Sequence, residues 1–204
     1  MISSQNEIEV KFDADKVAVK DFEAFVFESG LNIEKYIKVK GPDRFFSSSG
    51  GVLRHRLDMD TGRSEITLKM RKSKDSTRDR FEIDWKIDER TKTEDIAPLL
   101  EALGFGHILT IVKEARIFLI KLTANANATF VVYDVWKEEK GSEVLGTRKR
   151  FIEVEIEKGS NISVDTAKKH LNTWTQKIQA HFKLDEPLNQ SLFEIYSGMQ
   201  TLVI

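Results

Sequence analysis

Two runs near opposite ends of the chain, Glu7-Ile8-Glu9-Val10-Lys11-Phe12 and Phe151-Ile152-Glu153-Val154-Glu155-Ile156-Glu157, alternate strictly between charged and apolar residues. Side chains two apart on an extended strand share a face, so each run sets its charges on one side and its Ile, Val and Phe on the other. Between them lie runs that alternate with bases. Arg54 and Arg56 share a face of Val52 to Leu57, and Thr67, Lys69 and Arg71 share a face of Glu65 to Arg71. Arg80, Glu82, Asp84 and Lys86 line one side of Arg80 to Ile87. One such strand alone reads as solvated surface. Recurrence with the signs segregated, acids on the first and last long runs and bases between them, argues against that, because a solvated face mixes signs.

Helical spacing marks three longer segments and one short one. Residues 15–28 carry Val19, Phe22, Phe25 and Val26, with Asp15 as the expected cap and Gly30 as the stop. Thr93 is expected to cap a helix through Leu103 that Gly104 ends, and Ser163 one with the stripe Val164, Ala167, Leu171, Trp174, Ile178 and Phe182. Ser191 to Tyr196 suggests a short terminal helix. Gly41-Pro42-Asp43 predicts a turn, 72–79 an exposed loop, and 137–149 a solvated hairpin tip. The helices have apolar faces to cover, and they do so from outside if the sheet curls with its charged face inward; closure also removes exposed edges. The expected fold is therefore α+β: an eight-stranded closed antiparallel β-barrel with a charged, hydrated interior, helices packed outside, and one domain over 1–204.

A formal net charge of -1 gives no bulk attraction to nucleic acid or membrane. The chain has no cysteine, which excludes disulfides, thiolate metal sites and a cysteine nucleophile, and fits a reducing compartment. No leader and no membrane-spanning run is apparent, so the expected location is cytoplasmic. The four histidines lack zinc-protease spacing, and Gly141 to Gly146 has the glycine spacing of a phosphate loop without the lysine that follows. The segregated charges suit a polyanion bound with metal. A triphosphate carries about four negative charges near neutrality, which Arg and Lys must neutralise in a partly desolvated site. Glu7, Glu9, Glu153 and Glu155 would repel one another unless a hard divalent cation joined them, and Mg²⁺ or Mn²⁺ suits their oxygens.

The opening Glu7-Ile8-Glu9-Val10-Lys11 resembles the N-terminal Glu-x-Glu-x-Lys of the CYTH, or triphosphate tunnel metalloenzyme, superfamily. The later order of elements is similar over nearly the whole chain. It includes Leu53-Arg54-His55-Arg56, Leu68-Lys69, Arg80-Phe81-Glu82, Leu100 to Phe105, Lys113 with Arg116, Asp134, Phe151 to Glu155 and Ser191 to Ile195. The resemblance implies a tunnel that binds triphosphate compounds with divalent metal. Carried over by position, Glu7, Glu9, Glu153 and Glu155 would hold metal, while Lys11, Arg54, Arg56, Lys69, Arg80, Lys113 and Arg116 would hold phosphates. Glu82 and Asp134 would support them, and Lys11, Glu9 and Glu155 would carry the catalysis. Lys113 and Arg116 stand three apart where the family spaces them by two, so both face inward only across a bulge. The expected reaction is metal-dependent hydrolysis of inorganic, thiamine or nucleoside triphosphate with release of orthophosphate. The alternatives are cyclisation of ATP to cyclic AMP and pyrophosphate, and non-catalytic binding of triphosphate or polyphosphate. The partner is a small-molecule triphosphate rather than nucleic acid or membrane; oligomeric state stays open, a homodimer included.

Overall fold

The structure, a computed structural model, describes residues 2–48, 51–71, 79–88, 91–157 and 163–199; side chains of 2–7, 69–71, 79–82, Thr93 and Glu157 lie outside the described set. In chain order the elements are β1 (Ile2–Asp13), α1 (Val19–Glu28), β2 (Asn32–Ser48), β3 (Gly51–Leu57), β4 (Ser64–Arg71), β5 (Asp79–Lys86) and α2 (Thr93–Ala102). Then follow β6 (Gly106–Thr123), β7 (Ala126–Glu139), β8 (Ser142–Glu143), β9 (Lys149–Glu157), α3 (Val164–Phe182) and α4 (Leu192–Ser197). The strands pair antiparallel in the order β6-β2-β3-β4-β5-β1-β9-β7-β8, and β6 also pairs with β7. This is an α+β fold built on one antiparallel sheet.

Alternation decides which face the helices cover. Ile8, Val10 and Phe12 of β1 join Phe118, Ile120, Phe130, Val132, Ile152, Val154 and Ile156 in one apolar layer, packed against Phe22 and Val26 of α1 and Ala167, Leu171 and Ile178 of α3. Each fully buried side chain of this size contributes about 1.5–3 kcal/mol, which fixes the register, since a one-residue slip would turn the whole set outward. Ile96 and Leu100 of α2 cover Phe46 and Ile66 in the same manner. The charged residues consequently occupy the other face. That face is not polar throughout: Phe45, Ile111, Ala115, Val131, Tyr133, Val135 and Phe151 form a second cluster, closed by Phe193 and Tyr196 of α4.

Several local expectations give way to tertiary contacts. Gly41-Pro42 makes no turn and lies inside the 17-residue β2. A Cβ on Gly41 would stand 1.7 Å from the Leu57 carbonyl oxygen, and Met59 N donates to Lys40 O at 2.9 Å, so glycine admits the end of β3 against β2. Pro42, which has no N–H to give, precedes the first β2–β3 pair, Asp43 with Arg56. Gly41→Ala is expected to lower stability by about 3 kcal/mol, read as a shift of the urea midpoint at constant slope, because backbone must move to admit the methyl. Asp15 does not cap α1, whose N-cap is Ala18; its carboxylate accepts from Arg150 N at 2.6 Å. Thr93 is the first residue of α2, and Lys92 takes the cap position. Strand pairing enters the presumed 137–149 tip as Glu138 with Glu143. The 72–79 loop falls almost wholly outside the described residues.

The C-terminal helices follow their signals. Ser163 Oγ accepts from Thr166 N at 3.1 Å, and Ser191 and Glu194 form a reciprocal capping box at the start of α4. Tyr196 then aims its hydroxyl at the carbonyls of Val135 and Thr147, and Leu188 N donates to Lys11 O at 2.8 Å. Leu188 and α4 are thereby pinned to the face that carries the charges. No helix among the described residues is long and apolar enough to cross a membrane.

Candidate active site

The two acidic strands lie side by side. In their register Glu9 stands opposite Glu155 and Lys11 opposite Glu153. Lys11 is 4 % exposed, and its Nζ lies 3.1 Å from Glu153 Oε1, which also accepts the Tyr133 hydroxyl at 2.8 Å. The second Glu153 oxygen is 3.7 Å from Lys113 Nζ, and that ammonium sits 3.6 Å above the Tyr133 ring. Burial alone raises the Glu153 carboxyl, but Lys11 and then Lys113 outweigh it and hold the group well below the usual carboxylate range. Burial pushes Lys113 down to about 8, with Glu153 opposing the shift and Arg56 adding to it. Tyr133 is raised by burial and then by Glu153, so it stays a neutral hydroxyl that donates.

The basic strands supply the second group. Arg56 Nε and Nη2 each bond one oxygen of the buried Asp43 at 2.7 Å, an association of two parallel bonds. Arg54 Nη2 donates to Thr67 Oγ1 at 2.9 Å and lies 3.4 Å from Glu65 Oε1. Thr67 passes its own hydrogen to Asp84 Oδ1 at 2.8 Å. Arg54 Nε is buried and has no hydrogen-bond partner among the described residues. The groups sense one another: burial raises Asp43, but Arg56, then Arg54 and Lys113, hold it at about 2.

The structure brings Glu9, Lys11, Arg54, Arg56, Lys113, Glu153 and Glu155 to one face by register. Glu7 pairs in backbone register with Arg80, and Lys69 with Glu82; the side chains of all four lie outside the described residues. Arg116 and Asp134 go to the opposite face. No register shift interrupts β6 between Lys113 and Arg116, so an odd spacing reverses the side. Arg116 meets Glu114 at 3.5 Å and Glu23 of α1 at 3.7 Å, while Glu23 accepts the Tyr36 hydroxyl. Asp134 takes the Arg150 fork at 2.7 and 3.0 Å. Sequence reasoning missed Asp43, Tyr133 and Thr67. Asp43 faces Arg56, and Tyr133 stands opposite Phe151 on the face of Glu153, through pairings between strands that alternation within one strand does not give.

His55, between the two arginines, turns to the helix side. Its Nε2 bonds Ser64 Oγ at 2.7 Å, and burial, then Arg44, pushes it down to about 4 from 6.5. A histidine held neutral contributes stability that is full above 6.5 and is lost as pH falls from there through 4, about 2 kcal/mol after allowing for solvent screening. His55→Gln keeps a partner for Ser64 and is expected to flatten that part of the stability–pH curve, measured by urea unfolding at pH 4.5 and 7.

Three acids or imidazoles do not converge anywhere among the described residues. Glu9 and Glu155, directly opposed, do offer two carboxylates. A magnesium ion characteristically takes one or two protein carboxylates and completes its shell with phosphate oxygens and water, and that pair fits the demand.

A family model described as the CYTH domain matches residues 5–183. No curated protein matches the sequence. Among solved structures, a conserved hypothetical protein from Pyrococcus furiosus is 20 % identical with a TM-score of 0.61, covering 92 % of this chain and 98 % of that one. The PH1012 protein of Pyrococcus horikoshii is 23 % identical with a TM-score of 0.61 over 92 % and 98 %. The RNA triphosphatase domain of a mimivirus mRNA capping enzyme is 13 % identical with a TM-score of 0.50 over 86 % and 90 %. These likenesses concern the fold. With the family match spanning most of its length and the acidic and basic strands sharing one face, the chain belongs to the CYTH domain family.

Proposed function

We propose that this protein hydrolyses a triphosphate compound and releases orthophosphate, with Mg²⁺ or Mn²⁺, inside a sheet closed into an eight-stranded tunnel. The β6–β7 pairing supports closure, and the mimivirus neighbour supports a triphosphate-related reaction. The observation that carries the reading is the gathering of Lys11, Arg54, Arg56 and Lys113 on the face that also holds the Glu9–Glu155 pair. Arg54 meets a phosphate oxygen with its guanidinium, held in orientation by Thr67 and Glu65. Arg56 is locked by Asp43, so its charge is fixed in place before substrate arrives, which lowers reorganisation during reaction. Lys11 and Lys113 neutralise the remaining phosphate charge. Glu9 and Glu155 hold the cation, which when bound supplies charge neutralisation at the phosphate oxygens and favours attack by water.

The test is a panel of inorganic, thiamine and nucleoside triphosphates with Mg²⁺ or Mn²⁺, each product identified. Orthophosphate release that stops on chelation, and falls about 10²-fold or more in Glu9→Ala, is expected. An unchanged rate in that variant would sink the assignment. Cyclic AMP with pyrophosphate and no orthophosphate would instead make the chain a cyclase, and metal-dependent binding without turnover would make it a binder.

A further inference from the structure

Glu153 lies on the acidic strand next to the proposed cation pair, and both of its carboxylate oxygens face ammonium groups. One oxygen is shared by Lys11 at 3.1 Å and the Tyr133 hydroxyl at 2.8 Å, and the other faces Lys113 at 3.7 Å. The Lys11 and Lys113 side chains are 5 % and 15 % exposed. If Glu153 turned to a cation, both ammoniums would lose their carboxylate in a poorly hydrated place, and a third positive charge would arrive beside them. Tyr133, fully buried, adds a second restraint: its ring lies under the Lys113 ammonium while its hydroxyl holds Glu153.

We infer that Glu153 and Tyr133 are positioning residues that hold Lys11 and Lys113 as a fixed pair of phosphate-binding ammoniums, and that Glu153 is not a ligand of the divalent cation. This rests on the phosphate-binding role proposed above for the two lysines. The engagement of Glu153 by the two lysines divides the acidic wall in two: Glu9 and Glu155, proposed above to hold the cation, and Glu153, which serves the lysines.

The experiment separates the two jobs without needing turnover. Mn²⁺ binding to the full chain is measured alone by electron paramagnetic resonance, and tripolyphosphate binding by calorimetry, with melting temperature recorded for each protein. Glu153→Gln is expected to keep Mn²⁺ affinity within about 2-fold and to weaken tripolyphosphate about 10-fold or more, whereas Glu155→Gln weakens Mn²⁺ by about 10-fold or more. Should Glu153→Gln fail to fold, the tyrosine decides: Tyr133→Phe keeps the ring and is expected to weaken tripolyphosphate about 5-fold, and Tyr133→Leu further, both with Mn²⁺ affinity unchanged. Equal loss of Mn²⁺ in the Glu153 and Glu155 variants overturns the inference, as does unchanged tripolyphosphate binding in both tyrosine variants or an unaltered protein that binds no Mn²⁺. A protein that binds but never hydrolyses removes the proposed reaction and leaves this division standing.

Discussion

An Arg56→Ala protein is expected to lose about 3–5 kcal/mol of folding stability along with its hold on triphosphate. Asp43 is 1 % exposed, and Arg56 supplies both of its short bonds. Burial by itself raises the Asp43 carboxyl; the guanidinium reverses this and brings it to about 2 from 3.8. An acid depressed in the folded state stabilises the protein fully above 3.8, and that contribution is lost as pH falls through 2. Without Arg56 the carboxylate faces Arg54 and Lys113 among the described residues, and the acid limb of the stability curve moves toward neutrality. Arg56→Lys keeps a charge but cannot reach both oxygens with a planar fork, so it recovers only part of the loss. Replacing both partners by Asp43→Leu with Arg56→Met should restore most stability and no substrate binding. Urea midpoints at constant slope measure all three. A loss below about 1 kcal/mol in Arg56→Ala would mean that the pair behaves as a solvated one.

The second large effect belongs to Lys11→Met, where kcat/KM is expected to fall about 10²–10³-fold while stability falls by about 2 kcal/mol. Methionine keeps the length and the packing of a side chain that is almost fully buried between strands. Glu153 keeps Tyr133 and Lys113, so no carboxylate is stranded, and the fold loses less than in the arginine variant. What disappears is one of the two ammoniums held by Glu153 and proposed above to neutralise phosphate charge. Orthophosphate release at saturating Mg²⁺ reads the first number and urea unfolding the second; a drop in kcat/KM under about 10-fold would remove Lys11 from the catalytic set.

These two residues show how much the sequence discloses. Lys11 and Glu153 were both readable from period-two alternation, because a strand has only two faces and one of them is fixed by Ile8, Val10 and Phe12. Arg54 and Arg56 were readable for the same reason. Alternation gives a face within one strand and says nothing about register between strands, so the locking of Arg56 by Asp43 and of Glu153 by Tyr133 stayed hidden. Arg116 and Asp134 were assigned by resemblance of local order, and their strands carry them to the side of Glu23 and Arg150 because one residue of spacing reverses a strand face. The Gly41-Pro42 pair misled through its ordinary turn preference. Its reason here is a close approach by Leu57 that only the assembled sheet creates.

The pairing of β1 with both β5 and β9 has a consequence for synthesis of the protein. The first strand leaves the ribosome long before its second neighbour, so one of its edges has no native partner until nearly all the described chain has been made. Long-range closure of this kind slows folding and leaves an unpaired edge open to other chains in the meantime. Glu9 and Lys11 meet Glu155 and Glu153 only at that last pairing, so a nascent or truncated chain lacking β9 keeps Glu9 and the basic strands but lacks the two glutamates that face Glu9 and Lys11.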